Sequence, residues 1–179
     1  MAIKVIPEDP KMRELIEEVM LKVREQKYTP EQLCEVRRVI DAQHFYWWCM
    51  DMKREEWAGS DLFTEDFSYY CFGPQKVTAK EQAERSKHVN ANMATTHMGH
   101  QPLVWLMDEN NARAIFMYED HNMYKDDGTL VRGWAIYIDD FVRGEDDKWR
   151  MKTLRLNYLK MDGGATAVSI SAPYFFGRL

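Results

Sequence analysis

Residues 112–143 read ARAIFMYEDHNMYKDDGTLVRGWAIYIDDFVR, and this stretch decides the fold. Apolar and polar positions alternate with the period of two that a half-buried strand requires. The alternation breaks at Asp126-Asp127-Gly128, a connection of the kind that closes an antiparallel hairpin. Strands are expected at 112–125 and 130–143. Two more, at about 94–107 and 148–161, are set off by Asp108-Glu109-Asn110-Asn111 and Gly144-Glu145-Asp146-Asp147. The second half of the chain is thus a four-stranded antiparallel meander.

Upstream the period becomes helical. Met12, Leu15, Ile16, Val19, Met20 and Val23 mark one amphipathic stripe over 11–27. Thr29-Pro30-Glu31-Gln32 combines an N-cap, a proline in the first turn and a capping-box glutamine, which opens a helix over about 30–50. Its end, His44-Phe45-Tyr46-Trp47-Trp48-Cys49-Met50, is apolar on all sides and is expected to be enclosed on most of them. A short helix over 53–62, a strand over 67–72 and a second capping box at Thr78-Ala79-Lys80-Glu81, opening a helix to about 90, complete the reading. Helices followed by a meander make a single α+β domain. A strongly curved sheet wrapped round the aromatic helix would leave an apolar pocket at its open end, suited to a small molecule.

Composition narrows the function. The 179 residues are 45% hydrophobic and 13% aromatic, with 24 basic against 29 acidic side chains and a net charge of −5. No basic run offers nucleic acid a face, and no segment is long and apolar enough to span a bilayer. The first residues lack the apolar stretch of a signal peptide. Cys34, Cys49 and Cys71, odd in number and without paired spacing, read as reduced, packed thiols of a cytoplasmic protein.

Three places hold polar groups against the apolar pattern. Ala112, Ala114, Phe116, Tyr118, Asp120 and Asn122 share one strand face, with Arg113, Glu119 and His121 on the other. A carboxylate at Asp120 either has a partner in the core or marks where the face reaches water. His97 and His100 differ by an odd number and point to opposite faces, which argues against a shared zinc site. Either could be a structural histidine, and one facing the pocket could abstract a proton if a carboxylate fixed its tautomer. Tyr46 is a hydrogen-bond donor to a ligand or a packing residue. Asp51 orients a histidine or simply ends a helix.

Tyr46-Trp47-Trp48-Cys49-Met50-Asp51, Thr96-His97-Met98-Gly99-His100-Gln101-Pro102, Tyr118-Glu119-Asp120, Asp139-Asp140-Phe141 and Trp149 together resemble the SnoaL-like branch of the nuclear transport factor 2 superfamily. The likeness is nearest to the bile acid 7α-dehydratases. It is more distant to the scytalone dehydratases and hexachlorocyclohexane dehydrochlorinases. The resemblance implies a cone-shaped, cystatin-like α+β domain over 31–162, with an N-terminal helical extension (1–30) and a C-terminal tail (163–179). It further implies His97 as catalytic base, Asp51 and Asp120 as acids that orient or balance it, and Tyr46 as the pocket phenol that holds a substrate oxygen. Trp47, Phe116, Tyr118 and Tyr158 would line the substrate. Relatives often carry an arginine where this chain has Tyr158, and Arg155, three residues away, would face the opposite side. The implied activity is a cofactor-free, metal-free dehydration of a hydrophobic polycyclic hydroxy-ketone such as a steroid or polyketide. Isomerisation or cyclisation in the same pocket, and ligand binding without catalysis, are the alternatives. A homo-oligomer, dimer or trimer, is expected from the apolar row Trp134, Ile136 and Ile138.

Overall fold

The structure, a computed structural model, describes residues 10–70, 74–76 and 78–163. Helices α1 (Pro10–Glu25), α2 (Pro30–Asp51) and α3 (Glu55–Asp61) precede strands β1 (Phe63–Tyr70) and β2 (Pro74–Lys76). Helix α4 (Ala79–Asn90) then leads into β3 (Met93–Leu106), β4 (Asn111–Tyr124), β5 (Leu130–Arg143) and β6 (Trp149–Asp162). The four long strands form the expected meander. The sheet has six strands in the order β2-β1-β6-β5-β4-β3, because β1 adds in parallel to β6 and β2 pairs with β1. That parallel pairing joins residues 85 to 88 positions apart and leaves no local pattern in the sequence.

Both capping boxes form. Thr29 Oγ1 accepts from the Gln32 amide at 3.2 Å while Gln32 Oε1 accepts from the Thr29 amide at 3.0 Å, and Thr78 and Glu81 repeat the exchange. Thr29→Ala removes one half of the box opening α2 and is expected to cost about 1 kcal/mol, read as a lower midpoint in urea denaturation. In the β4–β5 hairpin Gly128 takes φ +70°, the left-handed turn position for which the sequence supplies glycine.

Helix α2 lies on the concave face, against β3, β4 and β6. Val39, Ala42, Tyr46, Trp47 and Met50 pack there with Ala112, Ala114, Phe116, Tyr118, Tyr137 and Leu154. Trp149 Nε1 donates to Glu35 at 2.8 Å, fixing the N-terminal half of the helix to the start of β6. The aromatic end of α2 is not enclosed on all sides: Trp48 is 64% and Phe45 43% exposed. Only the face carrying Tyr46, Trp47 and Met50 turns inward, so the helix end is amphipathic in space although uniformly apolar in sequence.

Helix α1 covers the opposite, convex face. Met12 and Val19 bury against Ile115, Ile136 and Ile138. The row expected to meet another subunit is therefore largely spent within the protomer, which removes the ground on which an oligomer was inferred. Within the segment read as an extension, α1 thus packs on the sheet. Cys34 is exposed rather than packed, and Cys49 is buried, its thiol pushed up to about 11 by burial with Glu56 and Glu55 adding. Cys71 and the C-terminal residues from 164 on lie outside the described residues. Among the described residues no helix is long and apolar enough to cross a membrane.

Candidate active site

Strand β3 is an edge strand that bulges between His100 and Leu103, where Gln101 takes φ 49° ahead of Pro102. Proline is tolerated at such a place because no ladder hydrogen bond is asked of it. Thr95, His97 and Gly99 then face inward toward the end of α2. Asp51, the last residue of that helix, accepts three hydrogen bonds from β3. Its Oδ1 takes the Thr95 hydroxyl at 2.9 Å and lies 2.5 Å from His97 Nδ1, and its Oδ2 takes the His97 amide at 2.9 Å. The carboxylate is acceptor-only, so Nδ1 donates the proton of this bond. After Asp51 the chain turns through Lys53 in the left-handed conformation (φ 57°), which brings its Nζ 3.0 Å from Thr95 Oγ1. Partial burial lowers the Lys53 ammonium.

His97 stands opposite Asp120 in the β3–β4 ladder, and Asp120 stands opposite Gly133 in β4–β5. Side chains at directly paired positions share a face, so His97 and Asp120 both look into the cup. Asp120 is buried. Its Oδ2 accepts the hydroxyls of Tyr158, in a short bond, and of Tyr118 at 3.3 Å, while Oδ1 has no protein partner among the described residues. Tyr158 reaches Asp120 across Gly133: a Cβ there would stand 2.3 Å from the Tyr158 ring and 2.5 Å from Asp120 Oδ1. Burial pushes the Tyr118 phenol well above its ordinary range, with Tyr137, Tyr158 and Asp120 adding, so it remains a donor. Tyr158 thus spends its hydroxyl on Asp120. Arg155 faces the convex side as expected, pairing with Asp140 at 2.8 Å.

The aromatic residues of the cup pack against one another. Trp47 packs edge-on against Phe116 (5.4 Å between centroids) and tilted against Tyr118 (5.6 Å) and Tyr137 (5.6 Å). It can do so because position 99 has no side chain: a Cβ at Gly99 would lie 1.9 Å from the indole. The His97 ring sits 5.7 Å from that of Tyr118. Its side chain is 12% exposed and that of Asp51 17%, so the dyad opens narrowly to solvent. Tyr46 is buried edge-on to Phe63 at 5.7 Å, close enough to Tyr118 and Tyr137 to oppose their ionisation. His100 lies on the outer side of β3, away from the dyad.

The structure brings together Asp51 with His97, and Asp120 with Tyr118 and Tyr158. Reading the sequence assigned no role to Thr95, Gly99, Gly133 or the buried Gln43 and Asp139. Asp139 is fully buried on the inner face of β5; its Oδ1 accepts the Arg155 amide at 2.8 Å and its Oδ2 has no protein partner among the described residues. Burial drives its carboxyl well above the usual range. An acid raised in the folded state contributes full stability below its unfolded value and loses it as pH climbs toward the folded value. Asp139→Asn keeps the acceptor for Arg155 and removes that loss. The variant should melt higher than the parent at pH 7, with the gap shrinking as pH falls toward 4, as followed by circular dichroism.

A helix clasped by a strongly curved mixed sheet, with a histidine–carboxylate pair at one end, defines an α+β cone of the nuclear transport factor 2-like type. The chain belongs to the SnoaL-like domain family, whose model matches residues 31–155. No curated protein sequence is significantly similar to it. Solved structures share the fold. One, from Novosphingobium aromaticivorans and described as a scytalone dehydratase, is 16% identical over 75% of this chain and 90% of its own (TM-score 0.67). A second from the same organism, described as an aromatic ring hydroxylase, is 20% identical over 76% and 96% (TM-score 0.67). Hexachlorocyclohexane dehydrochlorinase LinA-type3 of Novosphingobium barchaimii is 14% identical over 74% and 92% (TM-score 0.64).

Proposed function

We propose that the protein is a cofactor-free lyase that dehydrates a hydrophobic, polycyclic hydroxy-ketone of the steroid or polyketide kind. The observation that carries this reading is the Asp51–His97 bond, which sets a carboxylate on an imidazole whose ring lies 5.7 Å from that of Tyr118. His97 Nε2 takes a proton from the carbon next to a carbonyl, and Asp51 balances the imidazolium. Tyr46 holds the carbonyl oxygen on which charge develops. The free electron pair closes a carbon–carbon double bond as the neighbouring C–O bond breaks. The imidazolium returns its proton to the departing hydroxyl, so that water leaves and His97 is regenerated. Asp120, with Oδ1 unengaged by protein, accepts a hydrogen bond from the leaving hydroxyl and aligns it. Trp47, Phe116 and Tyr118 face the rings of the substrate.

The structural relatives described as a dehydratase and a dehydrochlorinase are both named for eliminations, which supports this class of reaction. The resemblance of the Tyr46–Asp51 and Thr96–Pro102 stretches to those of bile acid 7α-dehydratases supports the finer substrate class, and the cysteine usage supports a cytoplasmic setting. The test is incubation with β-hydroxy-ketone steroids and hydroxylated polyketide ketones, followed by mass spectrometry and absorbance. Loss of one water with the appearance of a conjugated enone is expected. A product of unchanged mass would replace dehydration by isomerisation, and no conversion across both classes would leave a binding protein.

A further inference from the structure

Helix α2 ends on a residue that its backbone does not favour. The Arg54 amide donates to the Cys49 carbonyl at 2.7 Å and the Lys53 amide to that of Met50 at 3.3 Å. Those two bonds make a Schellman closure, in which position 53 takes the left-handed conformation. Glycine usually holds that place, because a Cβ there is strained. Here it is Lys53, at φ 57°. A cation near a helix C-terminus is favourable, yet Arg54 supplies one at φ −119°, without the strain. Side chains retained on strained backbone cluster at functional sites, and this one reaches the dyad.

The Lys53 ammonium stands 3.0 Å from Thr95 Oγ1, and the Thr95 hydroxyl stands 2.9 Å from Asp51 Oδ1. That same carboxylate oxygen lies 2.5 Å from His97 Nδ1. Valence fixes the direction of each bond. An ammonium can only donate and a carboxylate can only accept, so Thr95 takes a hydrogen from Lys53 and gives its own to Asp51. Without the ammonium, the hydroxyl is free to turn away from the carboxylate. The charges that face Lys53 are Asp51 and Glu55, which favour the ammonium, and Lys125, which opposes it.

We propose that Lys53 is a positioning residue for the dyad: through Thr95 it holds the Asp51 carboxylate with Oδ1 on the His97 ring and Oδ2 on the His97 backbone amide. This rests on the reading of Asp51 and His97 as the working pair and extends it to two further side chains. Strain at the helix end is retained because glycine, the relaxed choice, cannot carry the ammonium. In the dehydration, the same chain of bonds keeps Asp51 against Nδ1 while the ring gains a proton and returns it.

Two variants of the full chain test this without substrate. Lys53→Gly relaxes the backbone and removes the ammonium, whereas Lys53→Met keeps the strain and the stem but not the charge. Melting is followed by circular dichroism, and exchange of the low-field His97 Nδ1 proton with water by NMR at pH 7.5. Lys53→Gly should melt about 2–4 °C higher than the parent, as expected for relieving one left-handed residue in a domain of this size. In both variants the ring proton should exchange about tenfold faster, the effect of losing one charge-assisted hydrogen bond. A Lys53→Gly variant that melts below the parent, or parental exchange in either variant, would overturn the role of Lys53. Faster exchange in both variants without any dehydration by the parent would remove the lyase alone. Dehydration by the parent with unchanged exchange in the variants would remove this role alone. A parent that shows no such ring proton would remove the dyad, and the role of Lys53 with it.

Discussion

Replacing His97 by alanine should lower kcat/KM for dehydration about 10³-fold, the range in which a positioned general base operates. Under the proposed mechanism the loss should fall on kcat, because the imidazole would act on the proton in flight and the aromatic rings would hold the substrate in both states. Asp51→Asn should lower the rate as well. Its amide would keep an acceptor for the His97 backbone N–H only by turning its NH2 toward Nδ1, which selects the opposite tautomer and leaves Nε2 protonated. A His97→Ala variant that turned over at the parental rate would place the chemistry elsewhere. One that lost substrate affinity in proportion to rate would make the ring a binding group.

Gly99→Ala should be strongly destabilising. The added carbon would lie 1.9 Å from the Trp47 ring, so the indole must leave its seat among Phe116, Tyr118 and Tyr137. Overpacking a filled core costs about 3 kcal/mol at the upper end of the common range, or about 10 °C in melting temperature for a domain of this size. The double variant Gly99→Ala with Trp47→Leu should recover part of that loss relative to Trp47→Leu alone, because the clash has gone. If alanine at 99 melts with the parent, the indole is not seated on the strand.

What the sequence disclosed followed from periodicity. The meander and both capped helices declare themselves because their signals lie within a few residues of each other. The convex covering by α1 does not: its stripe shows an amphipathic helix but carries no address, and the partners Ile115, Ile136 and Ile138 lie about a hundred residues on. The aromatic end of α2 misleads for a related reason. Composition reports that Phe45 and Trp48 are apolar, and only the position of the sheet decides that they face outward.

At the site, the pattern shows an acid continuing an apolar face at Asp120 and a histidine within a strand at 97. The Asp51–His97 pairing spans 46 residues and entered through resemblance to a family, not through spacing. Gly99 and Gly133 are silent as letters, since each is required by a ring arriving from another element, Trp47 of α2 and Tyr158 of β6. Gln43 is equally silent: a glutamine in a helix ordinarily faces water, and only its complete burial marks it.

The imidazole of His97, protonated at Nδ1 against Asp51 and bare at Nε2, is the central claim, and nitrogen-15 NMR of the ring reads it directly. At pH 7.5 the account predicts the Nδ1–H form, with a low-field, slowly exchanging ring proton that disappears in Asp51→Asn. A ring protonated at Nε2, or one whose signals ignore the change at position 51, would contradict it.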